Sequence, residues 1–333
     1  MTAKTLRTGL GLLFIFVALS AATTPAQTVG AGLQGTILDP TGAVIPKAQV
    51  EVRNVGTGAV YSLLTDELGR YRVQVLPPGE YELRLSAGGF QPLARKGITL
   101  AVGQDAVIDV TLELGRTTTE ISVLADVSHI NLTSGAVSGL VDDRQIRALP
   151  LNGRSFQQLA LLQPGVTAAL AAGNDVVGGR TPKISVNGAR PEQNNFLLDG
   201  TDINNVYNKT PGSVAGVLLG VEAVLEFQVL TNAYSAEFGR SSGGVINAVT
   251  RSGANLMHGS AFEFLRHSRF DAKNYFDPTD KPIPPFKRNQ FGATLGGPIR
   301  RDKTFFFGAY EAFVERLGIT GVSSVPDANA RQG

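Results

Sequence analysis

The strongest constraint in this sequence is a strict alternation of apolar with small or polar residues near the carboxyl end. The alternating run consists of Gln290, Phe291, Gly292, Ala293, Thr294, Leu295 and Gly296. A strand with this alternation has one apolar face and one face of small or polar groups. That pattern is typical of a membrane barrel, in which the apolar face contacts lipid. Ten of the 17 Phe residues of the 333-residue chain lie after residue 256, which supports the same interpretation.

Three barrel strands can be placed in this part of the chain, which we assign to residues 255–333. They cover residues 258–266, 289–297 and 303–313. In the first strand, we expect Phe262 and Phe264 to face lipid. The opposite face would then carry Ala261 and Glu263. The third strand has aromatic residues on both faces, so its register stays open.

The connections between these strands alternate in length. Residues 271–287 form a long connection with four Pro residues, whereas residues 298–302 leave room for only a tight turn. Outer-membrane barrels have long extracellular loops and short periplasmic turns. The sequence therefore predicts that the first connection lies outside the cell and the second in the periplasm.

The first 26 residues have the features of a signal peptide. Lys4 and Arg7 precede an uncharged apolar run at residues 9–22, and small residues follow at the expected cleavage site. A run of this length is short for a membrane helix, which needs about 20 residues, but fits the apolar core of an export signal. A membrane anchor is the alternative, although no cationic cluster follows Ala26.

Charge and Cys content exclude several classes of protein. Without Lys4 and Arg7 of the signal peptide, the 30 Lys and Arg residues fall to 28, which equals the 28 Asp and Glu residues. A near-neutral chain has no electrostatic reason to bind nucleic acid, so no nucleic-acid partner is predicted. The absence of Cys excludes disulfide bonds, zinc–thiolate sites and thiol catalysis.

The sequence lacks the residue patterns of an active site. His129, His258 and His267 do not have metal-ligand spacing. There is no Gly-x-x-x-x-Gly-Lys-Ser/Thr loop for phosphate. We therefore predict that the protein is not an enzyme and has no cofactor, no catalytic residues and no metal site.

Residues 30–114 predict a β-sandwich. Tyr81, Leu83 and Leu85 alternate with charged residues, and similar runs are separated by Pro- and Gly-containing turns. Two of these turns have the pattern Asp-x-x-Gly, at Asp39 and Asp66. A turn is favoured there over a cation site, because calcium needs six or more oxygen ligands.

The same residues resemble the carboxypeptidase regulatory-like domain, a transthyretin-like or carbohydrate-binding-like fold. The matching segments are Gly35-Thr-Ile-Leu-Asp39, Pro46-x-Ala48-x-Val50, Thr65-Asp66-x-x-Gly69-x-Tyr71 and Leu76-Pro-Pro-Gly79-x-Tyr81. The resemblance implies an accessory sandwich and no peptidase activity. Whether this sandwich binds sugar stays open.

Residues 140–252 predict a small mixed domain of helices and strands. Asp142 and Asp143 can begin a helix that ends before Pro150, and Ser155 can begin a second one. The pattern then returns to short strands joined by turns such as Asn187-Gly188.

These residues resemble the plug domain of TonB-dependent outer-membrane receptors, in the Oar-like branch. The matching segments are Leu149-Pro-Leu-Asn-Gly-Arg154-x-Phe156, Gln163-Pro-Gly-Val166, Val186-Asn-Gly-Ala-Arg190, Phe196-Leu-Leu-Asp-Gly200, Asn232-x-x-x-x-Ala236-Glu-x-Gly239 and Ser242-Gly-Gly-x-Ile246-Asn247. The barrel strands resemble the same branch. The resemblance implies a location in the cell outer membrane, contact with membrane lipid, a TonB-type energy-transducing partner, and an external ligand such as a carbohydrate or a peptide.

Two groups of residues are candidates for contacts. Within the linker at residues 115–139, a short run resembles the strand that such receptors offer to the energising partner: Glu120, Ile121, Ser122, Val123, Leu124 and Ala125. One more strand or a plain linker is the alternative. Ligand-facing candidates in the plug are Arg190, Asn194, Asn195, Asp199, Asp202, Asn204 and Asn205. Formation of turns is the alternative for these.

The sequence thus predicts a mainly β, multidomain protein: an Ig-like or prealbumin-like β-sandwich, a small α+β plug domain and the first few strands of an incomplete transmembrane β-barrel. Plugged transporters use about 22 strands of about 9 to 11 residues, and 79 residues follow Ala254. We therefore expect the amino-terminal portion of a receptor, which would not transport a ligand by itself. The alternative is a secreted or periplasmic carbohydrate-binding sandwich with a non-functional receptor remnant.

Overall fold

The computed structural model describes residues 30–115, 121–124, 135–149, 157–169, 183–204, 219–239, 241–273, 280–318 and 331. The predicted signal peptide lies outside these residues, as do Glu120, Ala125 and Asn205 of the predicted sites. Strands dominate the described part of the chain, and the predicted mainly β fold class is confirmed.

Nine strands form a two-sheet sandwich in the first part of the described chain. In chain order they are β1 (Ala31–Leu38), β2 (Gln49–Asn54), β3 (Val60–Leu64), β4 (Arg70–Leu76), β5 (Gly79–Ser86), β6 (Leu93–Leu100), β7 (Asp105–Val107), β8 (Val110–Thr111) and β9 (Ile121–Leu124). In one sheet, β1 pairs antiparallel with β4 and parallel with β7 and β8. The other sheet has the order β3-β2-β5-β6-β9.

The alternation predicted for β5 produces the core of the sandwich. Tyr81, Leu83 and Leu85 are buried between the sheets, whereas Glu80 is exposed. Each such apolar side chain stabilises the fold by about 1.5–3 kcal/mol through removal from water. The buried phenol of Tyr81 is also paired, because its hydroxyl donates to the carbonyl of Pro77 at 2.6 Å.

The two Asp-x-x-Gly segments form turns. The carboxylate of Asp39 accepts the N–H groups of Thr41 and Ala43 at 2.9 and 2.8 Å, and Asp66 accepts N–H groups two and four residues ahead in the same way. The hydroxyl of Thr41 and these N–H groups hold the pKa of Asp39 below its usual value. These carboxylates therefore shape the chain locally, as the turn interpretation predicts.

The middle part of the chain folds around a five-stranded sheet with the order β10-β15-β16-β13-β14. Its elements are β10 (Val137–Val141), α1 (Asp143–Ala148), α2 (Gln157–Ala160), β11 (Val166–Ala168), β12 (Ile184–Val186), β13 (Asn195–Leu198), β14 (Thr201–Asp202), β15 (Val224–Asn232) and β16 (Val245–Thr250). β10 begins at Val137, three residues before the predicted start of this domain. β13 runs parallel to β16, a pairing that no local pattern indicates.

Helix α1 begins where the sequence predicts. The side chain of Asp142 accepts the N–H of Gln145 at 2.8 Å, and the Gln145 side chain accepts the N–H of Asp142, which completes a capping box. The helix buries Ile146 against the sheet, in one cluster with Phe196 and Phe227. Ser155, the predicted start of the second helix, lies outside the described residues, and α2 is described from Gln157.

Three long antiparallel strands follow: β17 (His258–His267), β18 (Phe286–Arg300) and β19 (Thr304–Leu317). The 15 residues of β18 span about 50 Å at about 3.4 Å per residue. This strand is longer than the predicted run at both ends. The strict alternation that identifies the run does not extend to Lys287 at one end or to Arg300 at the other. Charged residues at strand ends extend a barrel strand beyond the lipid-facing band.

The faces of β18 are those that the alternation predicts. Phe291 and Leu295 are 39% and 51% exposed on the outer face, whereas Gln290 is 2% exposed on the inner face. The pairing with β18 also fixes the open register of β19. Tyr310 joins the outer face, and Phe307 pairs with an inner-face glycine.

The predicted orientation of β17 is wrong. Glu263 pairs directly with Phe291 on the outer face, and directly paired residues of antiparallel strands point to the same side. Phe262 and Phe264 therefore point inward. The physical reason lies on the neighbouring strand, where a Cβ on Gly292 would lie 2.7 Å from the ring of Phe262. The ring fills the space that this glycine leaves.

In the part of the chain that the structure describes, we find no helix with both the length and the apolar character that a membrane crossing requires.

Candidate functional site

The predicted coupling strand is a β-strand that belongs to the sandwich. Ile121–Leu124 form β9, which pairs parallel with β6 from Leu93 to Lys96. Because β9 is the last strand in the sheet order, one of its edges has no neighbouring strand among the described residues. A strand in this position can accept a further strand through its backbone groups.

Asn194 is a structural residue of the plug. Its side chain is 3% exposed. The side-chain nitrogen donates to the carbonyl of Ile184 at 2.8 Å, and the side-chain oxygen accepts the N–H of Gly244 at 2.9 Å. This amide ties β12 to the segment before β16, so the geometry favours the structural alternative over a ligand-facing role.

Asp199 also organises the backbone. It has a φ of 49°, a left-handed conformation that Asp tolerates in turns. Its two carboxylate oxygens accept the N–H and the hydroxyl of Thr250 at 2.9 and 2.8 Å. The side chain therefore joins the β13–β14 turn to the end of β16.

Three of the remaining described candidates, Asn195, Asp202 and Asn204, form a polar cluster at the start of β13. The amide nitrogen of Asn204 donates to Asn195 at 2.7 Å and to Asp202 at 2.8 Å. The buried side-chain oxygen of Asn204 makes no hydrogen bond to the described residues. Arg190 lies exposed at the start of the short helix Pro191–Gln193, which leads into β13. This cluster therefore retains hydrogen-bonding capacity, unlike Asn194 and Asp199.

A polar cleft lies at the end of β15, with a volume of about 450 Å³. Its lining residues are Val186, Asn187, Ala189, Thr231, Asn232, Ala233, Tyr234, Ser242 and Gly243. The wall is fixed by internal hydrogen bonds, since the Tyr234 hydroxyl donates to the Gly243 carbonyl at 2.6 Å and the Asn187 amide donates to the Thr231 carbonyl at 2.7 Å.

A row of buried polar side chains on the plug sheet was not predicted from the sequence. Glu226 and Gln228 on β15 and Asn247 on β16 are all at least nine-tenths buried. Neither polar atom of the Asn247 side chain has a hydrogen-bond partner in the described chain. The available signal was polar residues at alternate positions of β15, in a strand that is otherwise apolar.

Among the described residues of the plug, the carboxylate of Glu226 has a strongly shifted pKa. Burial raises its pKa to about 7, and the nearby charges of Asp142 and Asp143 act in the same direction. The N–H of Val102, which donates to its carboxylate at 2.5 Å, opposes the shift. Glu226 thus changes its charge near neutral pH while it contacts the sandwich.

The inner face of the barrel strands combines paired polar groups with aromatic rings. Arg288 donates twice to Glu315, at 2.8 and 2.6 Å, and its guanidinium lies 5.2 Å from the centre of the Phe286 ring. Nearer the plug, the Ser260 hydroxyl donates to Glu222 at 3.2 Å. At this point the inner wall contacts the plug through polar groups. The outer face of β18 presents the apolar side chains of Phe291 and Leu295.

Within the described ranges, no group of three or more His, Asp or Glu side chains is arranged to hold a metal ion.

Three protein families match successive parts of the chain. The Carboxypeptidase regulatory-like domain matches residues 32–113. The TonB-dependent Receptor Plug Domain matches residues 130–245, and the Outer membrane beta barrel domain matches residues 249–333. The order of the three matches is the order of the sandwich, the plug sheet and the long strands.

Two relatives match large parts of the chain. The TonB-dependent transporter Oar of Myxococcus xanthus is 33% identical over 265 residues, which is 75% of this chain and 23% of the relative. The Ferrienterobactin receptor of Escherichia coli is 27% identical over 195 residues, which is 55% of this chain and 24% of the relative. The chain thus spans about a quarter of the length of either relative.

Among solved structures, the siderophore receptor PirA from Acinetobacter baumannii matches with a TM-score of 0.38 and 23% identity, over 52% of this chain and 24% of that chain. The family matches and the relatives locate the protein in the outer membrane. Successive parts of the chain thus match the plug domain of TonB-dependent receptors and an outer-membrane barrel, and the chain is similar to the TonB-dependent transporter Oar.

Proposed function

We propose that this chain is the amino-terminal part of an outer-membrane receptor that takes up an external ligand with energy from a TonB-type partner. The main support for the proposal is the order of the three domains along the chain. In addition, β9 lies at the edge of a sandwich sheet and comes before the plug in the chain. No enzymatic activity is proposed, since the two named relatives are a transporter and a receptor.

The energising partner would bind at β9. A strand at the edge of a sheet offers N–H and C=O groups that an incoming strand pairs with, and such pairing needs only a few residues. β9 has four described residues, Ile121–Leu124. Glu120 and Ala125 extend this site in the proposal. A partner that adds a strand here would transmit force to the plug through the chain that leads to β10.

The external ligand would bind on the plug near Arg190, Asn195, Asp202 and Asn204. These residues combine an exposed guanidinium with amide and carboxylate groups. A carbohydrate or a peptide offers hydroxyl or amide groups that match such a set. Asn205, which follows directly in the chain, is part of the same proposal.

The partner site can be tested with proline substitutions in β9. The N–H groups of successive strand residues point to opposite edges, so Ser122→Pro and Val123→Pro between them remove a donor from each edge. We expect at least one variant to lose binding to the periplasmic domain of a TonB-type protein by about tenfold, a loss of about 1.4 kcal/mol. Ser122→Ala and Val123→Ala are the matched controls, because they keep the backbone donors.

Partner binding is measured by titration of the purified domain against the full chain in detergent. A synthetic peptide of residues 119–126 should compete for the same domain. Unchanged affinity in both proline variants, together with no competition by the peptide, would contradict the proposed site.

A further inference from the structure

Two turns of the sandwich contact other parts of the chain. The first docking turn, residues 54–59, joins β2 to β3. The carbonyl of Gly56 accepts the N–H of Asn255 at 2.9 Å, just before the first barrel strand. A Cβ on Gly56 would lie 3.9 Å from the Cβ of Ala254, and a Cβ on Gly58 would lie 3.4 Å from that of Asp302. This turn therefore contacts both the plug–barrel junction and the β18–β19 turn.

The two residues that receive the first docking turn are bonded to each other. The Asn255 amide donates to the Asp302 carboxylate at 2.8 Å, and the Asp302 N–H donates to the Asn255 side chain at 2.9 Å. Asp302 has a φ of 61° in the tight turn of the barrel hairpin. The docking turn thus sits on a small ordered platform that joins the plug junction to the barrel.

The second docking turn, residues 101–104, joins β6 to β7 and contacts the plug. Val102 is 2% exposed, and its N–H donates to Glu226. Gly103 has a φ of 67°, and a Cβ at this position would lie 2.2 Å from the side-chain oxygen of Gln228. The close approach and the positive φ both require glycine here.

The contact between the second docking turn and the plug includes a hydrogen-bonding group that is not satisfied. The side-chain oxygen of Gln228, which faces Gly103, is buried and makes no hydrogen bond in the described chain. A buried polar atom without a hydrogen bond destabilises the interface. This cost disappears when the sandwich and the plug separate and the atom bonds to water. The sandwich contacts the plug and the barrel hairpin through two short turns only, and the contact leaves a buried polar group unpaired. Such an attachment can form and release.

We propose that the sandwich is a releasable brace, which holds the plug and the first barrel hairpin in one relative position through its two docking turns. The brace also carries β9, because β6 pairs with β9 and continues directly into the second docking turn. Resting on the proposed function, a pull on β9 would reach the brace before it reaches the plug. The two docking turns thus bind to other parts of the same chain, the plug strand β15 and the β18–β19 turn.

The absence of Cys from the chain allows a direct test by disulfide crosslinking. In the double variant Gly56→Cys/Ala254→Cys, the two Cβ atoms would be 3.9 Å apart, within the range of about 3.5–4.5 Å that a disulfide needs. We expect oxidation of the full chain in membranes to give a crosslinked form that migrates differently on non-reducing gels. The matched control is Gly88→Cys/Ala254→Cys, because a Cβ on Gly88 has no neighbour within 4 Å.

Cooperation between the two turns is tested in the same background. Gly103→Ala should lower the rate of the crosslink by about fivefold or more, because the added methyl group displaces the turn from Gln228. Gly89→Ala is the control, since Gly89 has a similar φ of 87° in the sandwich but open space around it. Backbone strain is then matched, and only the contact with the plug differs.

Amide hydrogen exchange measures what the brace does to the plug. Oxidation of the Gly56→Cys/Ala254→Cys variant should slow exchange in β15 by about threefold or more relative to the reduced form, because the fixed brace suppresses opening of the strand. A crosslink no faster than that of the Gly88 control, no difference between Gly103→Ala and Gly89→Ala, or unchanged exchange would each overturn the brace. Since none of these measurements needs the energising partner, a failure of the proposed function would leave them unaffected.

Discussion

Substitution of Glu226 by Gln should make the protein more stable at alkaline pH and remove a pH dependence. Burial raises the pKa of Glu226 to about 7 from the ordinary value of 4.5. A group whose pKa is raised in the folded state contributes stability that is complete below the unfolded pKa and is lost as pH rises through the folded pKa. The loss therefore falls between pH 4.5 and 7 for this group, with a constant penalty above that range.

The size of the effect follows from the same rise in pKa. An increase from 4.5 to about 7, at about 1.36 kcal/mol for each pH unit, gives a penalty of about 3 kcal/mol at about pH 8. The amide that replaces the Glu226 carboxylate would keep a side-chain oxygen for the Val102 N–H and carry no charge. We therefore expect Glu226→Gln to be more stable than the natural chain by up to about 3 kcal/mol at about pH 8, and equal to it at about pH 4.5.

Urea unfolding of the full chain in detergent provides the measurement. Circular dichroism reports the transition, since the chain has no Trp for fluorescence. The control is Glu80→Gln, which removes an exposed carboxylate from the sandwich. An equal pH dependence in Glu226→Gln and the natural chain, or a loss of stability in the variant at alkaline pH, would refute the reasoning.

Two further predictions concern the plug and the barrel. Asn194→Ala should lower the free energy of unfolding by about 3 kcal/mol, because it leaves the buried carbonyl of Ile184 and the buried N–H of Gly244 without partners. As a control in the same urea titration, Arg190→Ala at an exposed position should change the free energy of unfolding by less than about 0.5 kcal/mol. Equal effects of the two substitutions would contradict the structural role of Asn194. Gly292→Ala should reduce the amount of protein in the outer membrane, because the new Cβ would meet the Phe262 ring and the Tyr310 carbonyl within 3 Å. Gly308→Ala is the control, because a Cβ at Gly308 has open space. Immunoblots of membrane fractions that show equal amounts of the two variants would contradict the packing of β17 on β18.

Local patterns predicted the elements whose two faces meet different surroundings. The faces of β5 and β18 follow from alternation, because one face packs on a core or contacts lipid and the other does not. α1 could be predicted from its acidic cap and from the Pro that follows it. Turns at Asp39 and Asp66 follow from the ability of Asp to bond the backbone ahead of it.

The orientation of β17 could not be read in this way. Both of its faces carry large groups, and the inward position of Phe262 depends on a glycine that lies 30 residues later on the paired strand. A residue pattern describes one strand at a time. The space left by Gly292 therefore cannot be predicted from the residues around Phe262. The register between strands supplies the missing information.

The candidate site shows the same limit. The Asn and Asp residues of the plug motifs are polar, but only the fold shows that Asn194 is enclosed by its own backbone partners while Asn204 keeps a side-chain oxygen without a partner in the described chain. Glu226 was missed because its pKa is raised by burial, which only the fold produces, and because its hydrogen-bond partner Val102 lies 124 residues away. Such contacts between domains are not encoded in any short motif.

Accessibility of single spin labels along β18 tests the central claim that the long strands belong to an outer-membrane barrel. Labels are placed one at a time on Cys substituted for Gln290, Phe291, Thr294 and Leu295, in outer-membrane preparations of the chain. Labels at 291 and 295 should collide with lipid-dissolved oxygen, and those at 290 and 294 should not. Equal accessibility to a water-soluble relaxing agent at all four positions would contradict the claim.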